Sequence, residues 1–253
     1  MKLALISDIH ANWQALQACL AHARQQGVDQ LAFLGDLVGY GADPVAVLAE
    51  VMTQVAQGAW VLRGNHDEMA LNPPASLAAD ASAGAQGAAW THAQLGAAHR
   101  AFLADLPLTV SGDGFLLVHA SADRPASWRY VDGEGAAGRC LDQALAQQQG
   151  PHVLVGHVHH QTLYYQGTGR NLMRFEPTPG IPVPTPLRRP MVACVGSCGQ
   201  PRDGDPRAMY AVYDRTLQKM TFHRVPYNHA EASAAIRRVD LPEYFAQRLE
   251  LGR

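Results

Sequence analysis

The chain has 253 residues, of which 47% are hydrophobic and 17% are charged, with a formal net charge of −2 and a sequence pI near 6.6. This length suits one large α/β domain or two small ones, and the hydrophobic content is sufficient for a substantial core. The composition excludes a disordered chain, and the near-neutral charge gives no general attraction for nucleic acid or anionic lipid. We therefore expect neither nucleic acid nor a membrane as a partner.

The start of the chain, MKLALISDIH, contains one lysine and then a four-residue apolar run before Ser7. A secretory signal needs about 7–15 apolar residues, and a membrane helix needs about 20. Neither pattern occurs in the sequence, and the four cysteines are too few and too scattered for a disulfide framework. These features predict a cytoplasmic protein whose thiols are reduced and mostly buried.

The first seventy residues alternate predicted strands and helices, which favours a sheet with parallel strands. Asn12 begins a helix with one apolar face, and Gly27 ends it. Asp43–Pro44 begins a second helix, which runs to Gly58. The predicted strands cover residues 2–7, 29–34 and the AWVLRG stretch at 59–64.

The Ala-rich segment 72–104 has no strand pattern, and we expect helices there that form a small cap over the strand ends. Residues 176–190 hold six prolines, which predicts an irregular loop. No repeat or clean linker is visible, so we expect one domain over residues 1–253. The remaining predictions are hairpins within 108–121 and 163–175, strands at 152–157, 191–196, 209–214 and 219–224, a helix near 134–148 and two C-terminal helices.

Polar side chains follow five of the predicted strands. In an open α/β sheet, ligands bind in the crevice at the carboxyl ends of the strands. Side chains alternate along an extended segment, so Asp-x-His and His-x-His each place two donors on one side. The residues at these five ends are Asp8 and His10; Asp36; Asn65, His66 and Asp67; His119; and His157 and His159.

This set of donors is typical of a metal site. Imidazole together with carboxylate suits Mn, Fe, Zn or Ni, and an asparagine oxygen can ligate without adding charge. The donors are more numerous than one tetrahedral ion accepts. Two ions about 3.5–4 Å apart that share one carboxylate would use them, as in two-metal phosphoryl-transfer sites.

The motifs D-x-H, G-D-x-x-G, G-N-H-D, H and G-H-x-H occur in this order between residues 8 and 159. In this combination they resemble the calcineurin-like metallophosphoesterase superfamily. Residues 196–208, GSCGQPRDGDPRA, resemble the closing loop of a bacterial subgroup that contains small phosphodiesterases and phosphatases. The resemblance implies an α/β fold in which two mixed β-sheets form a sandwich flanked by helices.

The resemblance also implies roles for the strand-end residues. His66 is the general acid at the leaving-group oxygen, and a metal-bridged hydroxide attacks phosphorus without a covalent intermediate. Two divalent transition-metal ions are implied, with Mn²⁺ expected to activate the enzyme in vitro. The implied metal ligands are Asp8, His10 and His159 for the first ion, Asn65, His119 and His157 for the second, and Asp36 as the bridge.

One departure from the family bears on the substrate. Gly39–Tyr40 stands where protein phosphatases and symmetrical diadenosine-tetraphosphate hydrolases of the superfamily have Asp-Arg. That arginine grips the substrate phosphate, so its absence favours hydrolysis of small phosphodiesters or nucleotides. The alternatives are a phosphomonoesterase acting on proteins or small molecules, a dinucleoside polyphosphate hydrolase, and a binding scaffold without activity.

Several residues have two open interpretations. Tyr40 stacks on substrate or packs in the core. Arg202 contacts a substrate phosphate or pairs with Asp203 or Asp205 in a turn. Asp67 is expected to support His66 or its loop without ligating metal. Histidines outside the motifs are expected to be solvated, namely His22, His92, His99, His152, His223 and His229.

Overall fold

The computed structural model describes residues 1–73, 82–167, 169 and 172–253. Its strands are β1 (Lys2–Ile6), β2 (Gln30–Phe33), β3 (Trp60–Val61), β4 (Thr109–Gly112), β5 (Phe115–Val118), β6 (His152–Val155), β7 (Gln161–Gln166), β8 (Leu172–Phe175), β9 (Val183–Pro184), β10 (Met191–Val195), β11 (Ala208–Asp214) and β12 (Lys219–Val225). Its helices are α1 (Trp13–Gln25), α2 (Pro44–Ala56), α3 (Asn65–Leu71), α4 (Ala83–Gln94), α5 (Ala97–Asp105), α6 (Glu134–Ala146), α7 (His229–Arg238) and α8 (Glu243–Leu251).

The strands form two mixed six-stranded sheets, with the orders β3-β2-β1-β11-β12-β9 and β4-β5-β6-β10-β7-β8. In the first sheet β1, β2 and β3 are parallel, and in the second β5, β6 and β10 are parallel. The parallel neighbours in each sheet therefore end at one edge. This arrangement gathers the loops after β1, β2, β3, β5 and β6.

The alternation of side chains along each strand builds a core on both faces of each sheet. In β1, Leu3 and Leu5 belong to the apolar cluster between the sheets, with Phe115 and Leu154 of the second sheet. Ile6 points the other way, into the cluster that α1 and α2 cover. Because both faces are buried, the parallel strands are mainly apolar.

Helices complete the layers. Helix α1 begins where the Asn12 side chain accepts a hydrogen bond from Ala15 N at 3.1 Å, as predicted for its cap. Helix α6 packs on the outer face of the second sheet through Cys140 and Leu141. Thus the predicted α/β sandwich of two mixed sheets flanked by helices is confirmed. No helix in the described part of the chain is long and apolar enough to cross a membrane.

The structure differs from the predictions in detail. The third strand is two residues long, and the Pro-rich segment contains β9, which pairs with β12 and was not predicted. Both predicted hairpins form, as β4–β5 and β7–β8. Helices α4 and α5 lie in the Ala-rich segment and contact α3. Residues 74–81 of that segment and residues 168, 170 and 171 of the second hairpin lie outside the described residues.

Candidate dinuclear metal centre

The chain turns sharply where the parallel strands end. Five of the predicted metal ligands there have φ between 51° and 66°, in the left-handed region, which costs an L-residue roughly 1–2 kcal/mol. Hydrogen bonds between the loops hold this backbone, for example from Asp8 N to Gly35 O at 3.1 Å. Such strain is concentrated at functional sites. The five residues are Asp8, His10, Asp36, His157 and His159.

The first donor group consists of Asp8, His10 and His159, all of which are buried. His159 Nε2 lies 3.1 Å from Asp8 Oδ1 and 3.1 Å from His10 Nε2. The loops after β1 and β6 thus bring together the three residues predicted to hold the first metal.

The second donor group consists of Asp36, His119 and His157, which are also buried. His119 Nε2 lies 3.2 Å from His157 Nδ1 and 3.2 Å from Asn65 Oδ1. The residues predicted for the second metal are therefore also brought together. They come from the loops after β2, β3, β5 and β6.

In each of the four histidines of these groups, the ring nitrogen that points away from the other donors contacts a backbone carbonyl oxygen. A carbonyl only accepts, so that nitrogen is the N–H donor, and the other nitrogen presents a lone pair to the group. The four contacts are His10 Nδ1 with Val38 O at 3.3 Å, His159 Nδ1 with Gln200 O at 2.6 Å, His119 Nδ1 with Leu34 O at 2.7 Å and His157 Nε2 with Trp128 O at 3.0 Å.

This arrangement fits a cation in each group. Two neutral imidazole lone pairs facing each other at 3.1 or 3.2 Å cannot hydrogen-bond, whereas a metal ion between them accepts both. Asp8 Oδ1 is a buried carboxylate oxygen with no hydrogen-bond partner. An unsatisfied buried anionic oxygen beside paired imidazoles is suited to a divalent transition-metal ion.

Asp36 lies between the two groups. Its Oδ2 is 3.8 Å from His10 Nε2 and 3.4 Å from His119 Nε2, so one oxygen faces both groups. Its Oδ1 accepts a hydrogen bond from His66 N at 2.7 Å. A Cβ at residue 64 would overlap this carboxylate, which explains Gly64. Asp36 therefore faces both donor groups, as the predicted bridging ligand would.

The carboxylates make the site favourable for positive charge. Burial opposes ionisation of Asp36, but nearby His119 and His66 hold its pKa well below the usual range. Burial would lower the pKa of His119, yet Asp36 raises it to about 9. By contrast, burial together with His119 lowers the pKa of His157 to about 4. The buried carboxylates therefore favour positive charge at this centre, which a divalent metal ion would supply.

His66 points toward the first group without belonging to it. Its ring lies edge-on to that of His10, with 5.0 Å between centroids, and packs against Tyr40 at 4.3 Å. Burial lowers the pKa of His66. Residue 39 has φ of +89°, and a Cβ there would meet the His66 ring at 2.9 Å, so only glycine fits. Gly39 thus provides the space for the predicted general acid.

Asp67 organises the loops around these donors. Its Oδ1 accepts hydrogen bonds from Leu37 N and Val38 N at 2.9 and 3.2 Å, and its Oδ2 accepts one from Gly64 N at 2.8 Å. Burial, together with Asp36, raises the pKa of Asp67 to about 7. Asp67 is therefore a supporting residue for the loops around Asp36 and His66, as the sequence indicated.

The loop at 196–208 lies beside the first group. The Ser197 hydroxyl donates to Asp8 O at 2.8 Å, and Gly199 N donates to the same carbonyl at 2.9 Å. Arg202 does not pair with Asp203 or Asp205, which corrects that alternative. Arg224 and Arg207 form ion pairs with these two acids. Arg202 instead donates to Gln200 Oε1 at 2.8 Å and lies near the ring of Tyr40.

Sequence reasoning missed several residues of the site. Trp128 supplies the carbonyl for His157, and Tyr130 stacks on the His157 ring at 4.1 Å, but both lie in an irregular loop after β5. Arg248 reaches the site from α8 and donates to Gln200 Oε1 at 3.2 Å. Gln200 lies within the sequence motif at 196–208, so the motif could have indicated that this residue lies near the site.

The expectation that the other histidines are solvated is wrong for two of them. His152 and His223 are buried, at 0% and 9% exposure. His152 starts β6 on the same face as Leu154, so strand alternation places it between the sheets. The four cysteines are free and buried, as expected.

Comparison with known proteins identifies the family. Residues 1–216 match the model of the calcineurin-like phosphoesterase superfamily domain. An uncharacterized protein of Methanocaldococcus jannaschii is 31% identical over 255 residues, covering 99% of this chain and 98% of that protein.

Two solved structures are similar over the full length of the chain. A metallophosphoesterase from Sphaerobacter thermophilus has a TM-score of 0.83 and 32% identity, with 100% of each chain covered. A hypothetical protein from Pyrococcus horikoshii has a TM-score of 0.75 and 21% identity, with 100% of this chain and 98% of that one covered. The second likeness shows the fold alone.

The family depends on divalent metals, and the two buried donor groups provide candidate positions for them. Together, the motif order, the two-sheet sandwich and the family match lead to one conclusion. The chain belongs to the calcineurin-like phosphoesterase superfamily and is a metal-dependent phosphoric ester hydrolase.

Proposed function

We propose that the protein hydrolyses small phosphodiesters or nucleotides, using two divalent transition-metal ions. The observation that supports this most strongly is the pair of buried donor groups that share Asp36. Asp8, His10 and His159 would hold the first ion, and Asn65, His119 and His157 the second. The donor set fits Mn, Fe, Zn or Ni.

The chemistry divides between the ions and the protein. When bound, the ions would activate a water as the nucleophile and neutralise charge on the phosphoryl group. Asp36 would orient both ions and, through its contact with His66 N, the residue that serves the leaving group. His66 would donate a proton or a hydrogen bond to the leaving oxygen. Tyr40 packs against this imidazole and fixes its position.

Aromatic rings on both sides of the centre support a diester as substrate. The Tyr40 ring lies 4.7 Å from that of His10, and Tyr130 stacks on His157 with 22° between the planes. Tyr130 is 54% exposed, so its outer face is accessible to a ligand. A diester has a substituent on each side of phosphorus, and aryl groups or bases stack on such rings.

The proposal is tested with the Mn²⁺-loaded protein and two chromogenic esters. We expect faster hydrolysis of bis-p-nitrophenyl phosphate than of p-nitrophenyl phosphate, and loss of activity in Asp36→Asn. A faster monoester rate would replace the diesterase proposal with a phosphomonoesterase. Equal rates in wild type and Asp36→Asn would refute the two-metal site itself.

A further inference from the structure

Two arginines meet beside the first donor group. Arg202 donates to Gln200 Oε1 through Nε and Nη2, at 3.2 and 2.8 Å, and Arg248 donates to the same oxygen through Nη1 at 3.2 Å. The backbone carbonyl of Gln200 is the partner of His159 Nδ1 at 2.6 Å. One glutamine therefore connects both guanidinium groups to the first donor group.

No carboxylate balances these two charges among the residues that the structure describes. The acids near Arg202 in the chain, Asp203 and Asp205, are occupied by other arginines. Glu243 and Glu250, which flank Arg248 in α8, both pair with Arg237. The neutral oxygen of Gln200 is thus shared by two cations, and Arg248 Nε is buried without a hydrogen-bond partner.

Such an arrangement is unfavourable unless an anion completes it. Two guanidinium groups that donate to one oxygen lie close together, and like charges repel most where water is partly excluded. Both side chains are half-buried. A guanidinium has several N–H donors in a planar fork, which matches the oxygens of a phosphate. Arg202 also hydrogen-bonds the Tyr40 hydroxyl, whereas Arg248 Nε has no hydrogen-bond partner, so Arg248 retains an unused donor for such a ligand.

The surrounding rings orient these cations. The guanidinium carbon of Arg202 lies 6.0 Å from the centroid of Tyr40, and that of Arg248 lies 4.5 Å from the centroid of Tyr244. Tyr40 also contacts His10 and His66. A ligand group held by the two arginines would therefore adjoin the ester that His66 serves.

We propose that Arg202 and Arg248 form a subsite for a second phosphate group of the substrate, next to the phosphate that is hydrolysed. This deepens the proposed function and rests on it for the position of the scissile ester. The subsite itself predicts a substrate with two or more phosphates. Arg248 lies beyond residues 1–216, so the C-terminal helix adds this residue to the family domain.

The first test is binding without metal. Tripolyphosphate is titrated by calorimetry into the metal-free protein, comparing wild type with Arg202→Gln, Arg248→Gln and the double variant. We expect each single variant to weaken binding about tenfold, in line with the loss of a charge-assisted hydrogen bond. Arg188→Gln is the matched control, because Arg188 is exposed and precedes β10 at the opposite end of the strands.

The second test is the selectivity of the Mn²⁺-loaded enzyme at fixed free metal. We expect the ratio of kcat/KM for diadenosine triphosphate to that for bis-p-nitrophenyl phosphate to fall at least tenfold in both single variants. Arg248→Lys keeps the positive charge but loses the planar guanidinium, and it should give an intermediate ratio. This conservative variant also shows whether a folding defect explains the result for Arg248→Gln.

The two proposals fail differently. A wild type that hydrolyses neither bis-p-nitrophenyl phosphate nor diadenosine triphosphate refutes the proposed function, while the calorimetry still decides whether the anion subsite exists. Equal tripolyphosphate affinity in wild type and the double variant, or an unchanged selectivity ratio in an active enzyme, overturns the subsite.

Discussion

The histidines at the strand ends and the histidines in the core are buried to a similar extent but have different partners. At the strand ends, one ring nitrogen donates to a backbone carbonyl and the other faces a second imidazole, as in His10 and His159. In the core, the partner is a tyrosine: His152 Nδ1 lies 2.7 Å from Tyr213 OH.

A second histidine–tyrosine cluster, in which His22 is half-buried and His223 is buried, shows the same contrast. His22 Nδ1 lies 2.6 Å from Tyr210 OH, and His223 stacks on the Tyr210 ring with 20° between the planes. A tyrosine hydroxyl both donates and accepts, so it satisfies one imidazole nitrogen without an ion, while Nε2 of His152 is buried without a hydrogen-bond partner. Lone pairs that face each other beside carboxylates are instead suited to a cation. A facing imidazole and a nearby carboxylate, and not burial alone, therefore distinguish a candidate metal ligand from a core histidine.

The largest expected effect is at Asp36, which faces both donor groups. In Asp36→Asn we expect kcat to fall on the order of 10³-fold or more, because both proposed ions would lose an anionic ligand. Metal content measured by mass spectrometry should fall at both positions. Asp113→Asn, an exposed acid in the β4–β5 turn, is the control. Retention of two ions and full activity in Asp36→Asn would contradict the bridging role.

His66 should affect catalysis but not metal content. For His66→Gln we expect kcat to fall about 10²-fold with alkyl esters, whose leaving groups need a proton. The loss should be smaller with p-nitrophenyl esters, because p-nitrophenolate leaves without protonation. Rates for both ester classes are compared at saturating Mn²⁺. The same loss with both leaving groups would argue against a general acid at this position.

His152 should affect stability alone. His152→Phe leaves the Tyr213 hydroxyl buried without its partner, which should lower the free energy of unfolding by about 1–3 kcal/mol. Metal content and kcat should stay at wild-type values. Urea denaturation of the single variants and of His152→Phe/Tyr213→Phe measures the coupling. Complete additivity would mean that the hydrogen bond contributes nothing.

His223 should make stability depend on pH. Burial, followed by the neighbouring His22, lowers the pKa of His223 to about 4, below the value of about 6.5 expected when unfolded. The unfolded state therefore binds the proton more tightly, and stability falls as pH drops from 6.5 toward 4. We expect a loss of about 1–2 kcal/mol between pH 7 and pH 5.

The measurement is the free energy of unfolding at pH 7 and pH 5, with His223→Phe as the comparison. The variant should lose this part of the pH dependence and bind metal as the wild type does, because His223 belongs to neither donor group. An identical slope in wild type and variant would place the titrating group elsewhere.

The donor groups were predictable from the sequence because each is a local pattern at a strand end. Alternation and strand order brought Asp8, His10, His157 and His159 to one edge without further information. The carbonyls that orient the imidazoles were not predictable, because Gln200 and Trp128 reach the site through irregular loops.

Arg248 shows the same limit more clearly. Nothing within EYFAQRLEL indicates which face of α8 meets the loop at 196–208, since that contact depends on how α7 and α8 pack together. The burial of His152, in contrast, was within reach, because strand alternation pairs it with Leu154. Local periodicity thus predicts the donors, while tertiary packing determines the residues that orient them and select the substrate.

The left-handed backbone at the strand ends has a consequence for engineering this enzyme. Gln148 and Gln218 also have positive φ, at 55° and 47°, but lie in turns away from the donors. Glycine at these turns would relieve the backbone strain without removing a donor. This gain is partly offset because glycine increases the conformational entropy of the unfolded chain. At Asp8 or His159 the same exchange would delete the donor itself. Substitutions in the peripheral turns can therefore increase stability, whereas substitutions that relieve strain at the donor groups would reduce activity.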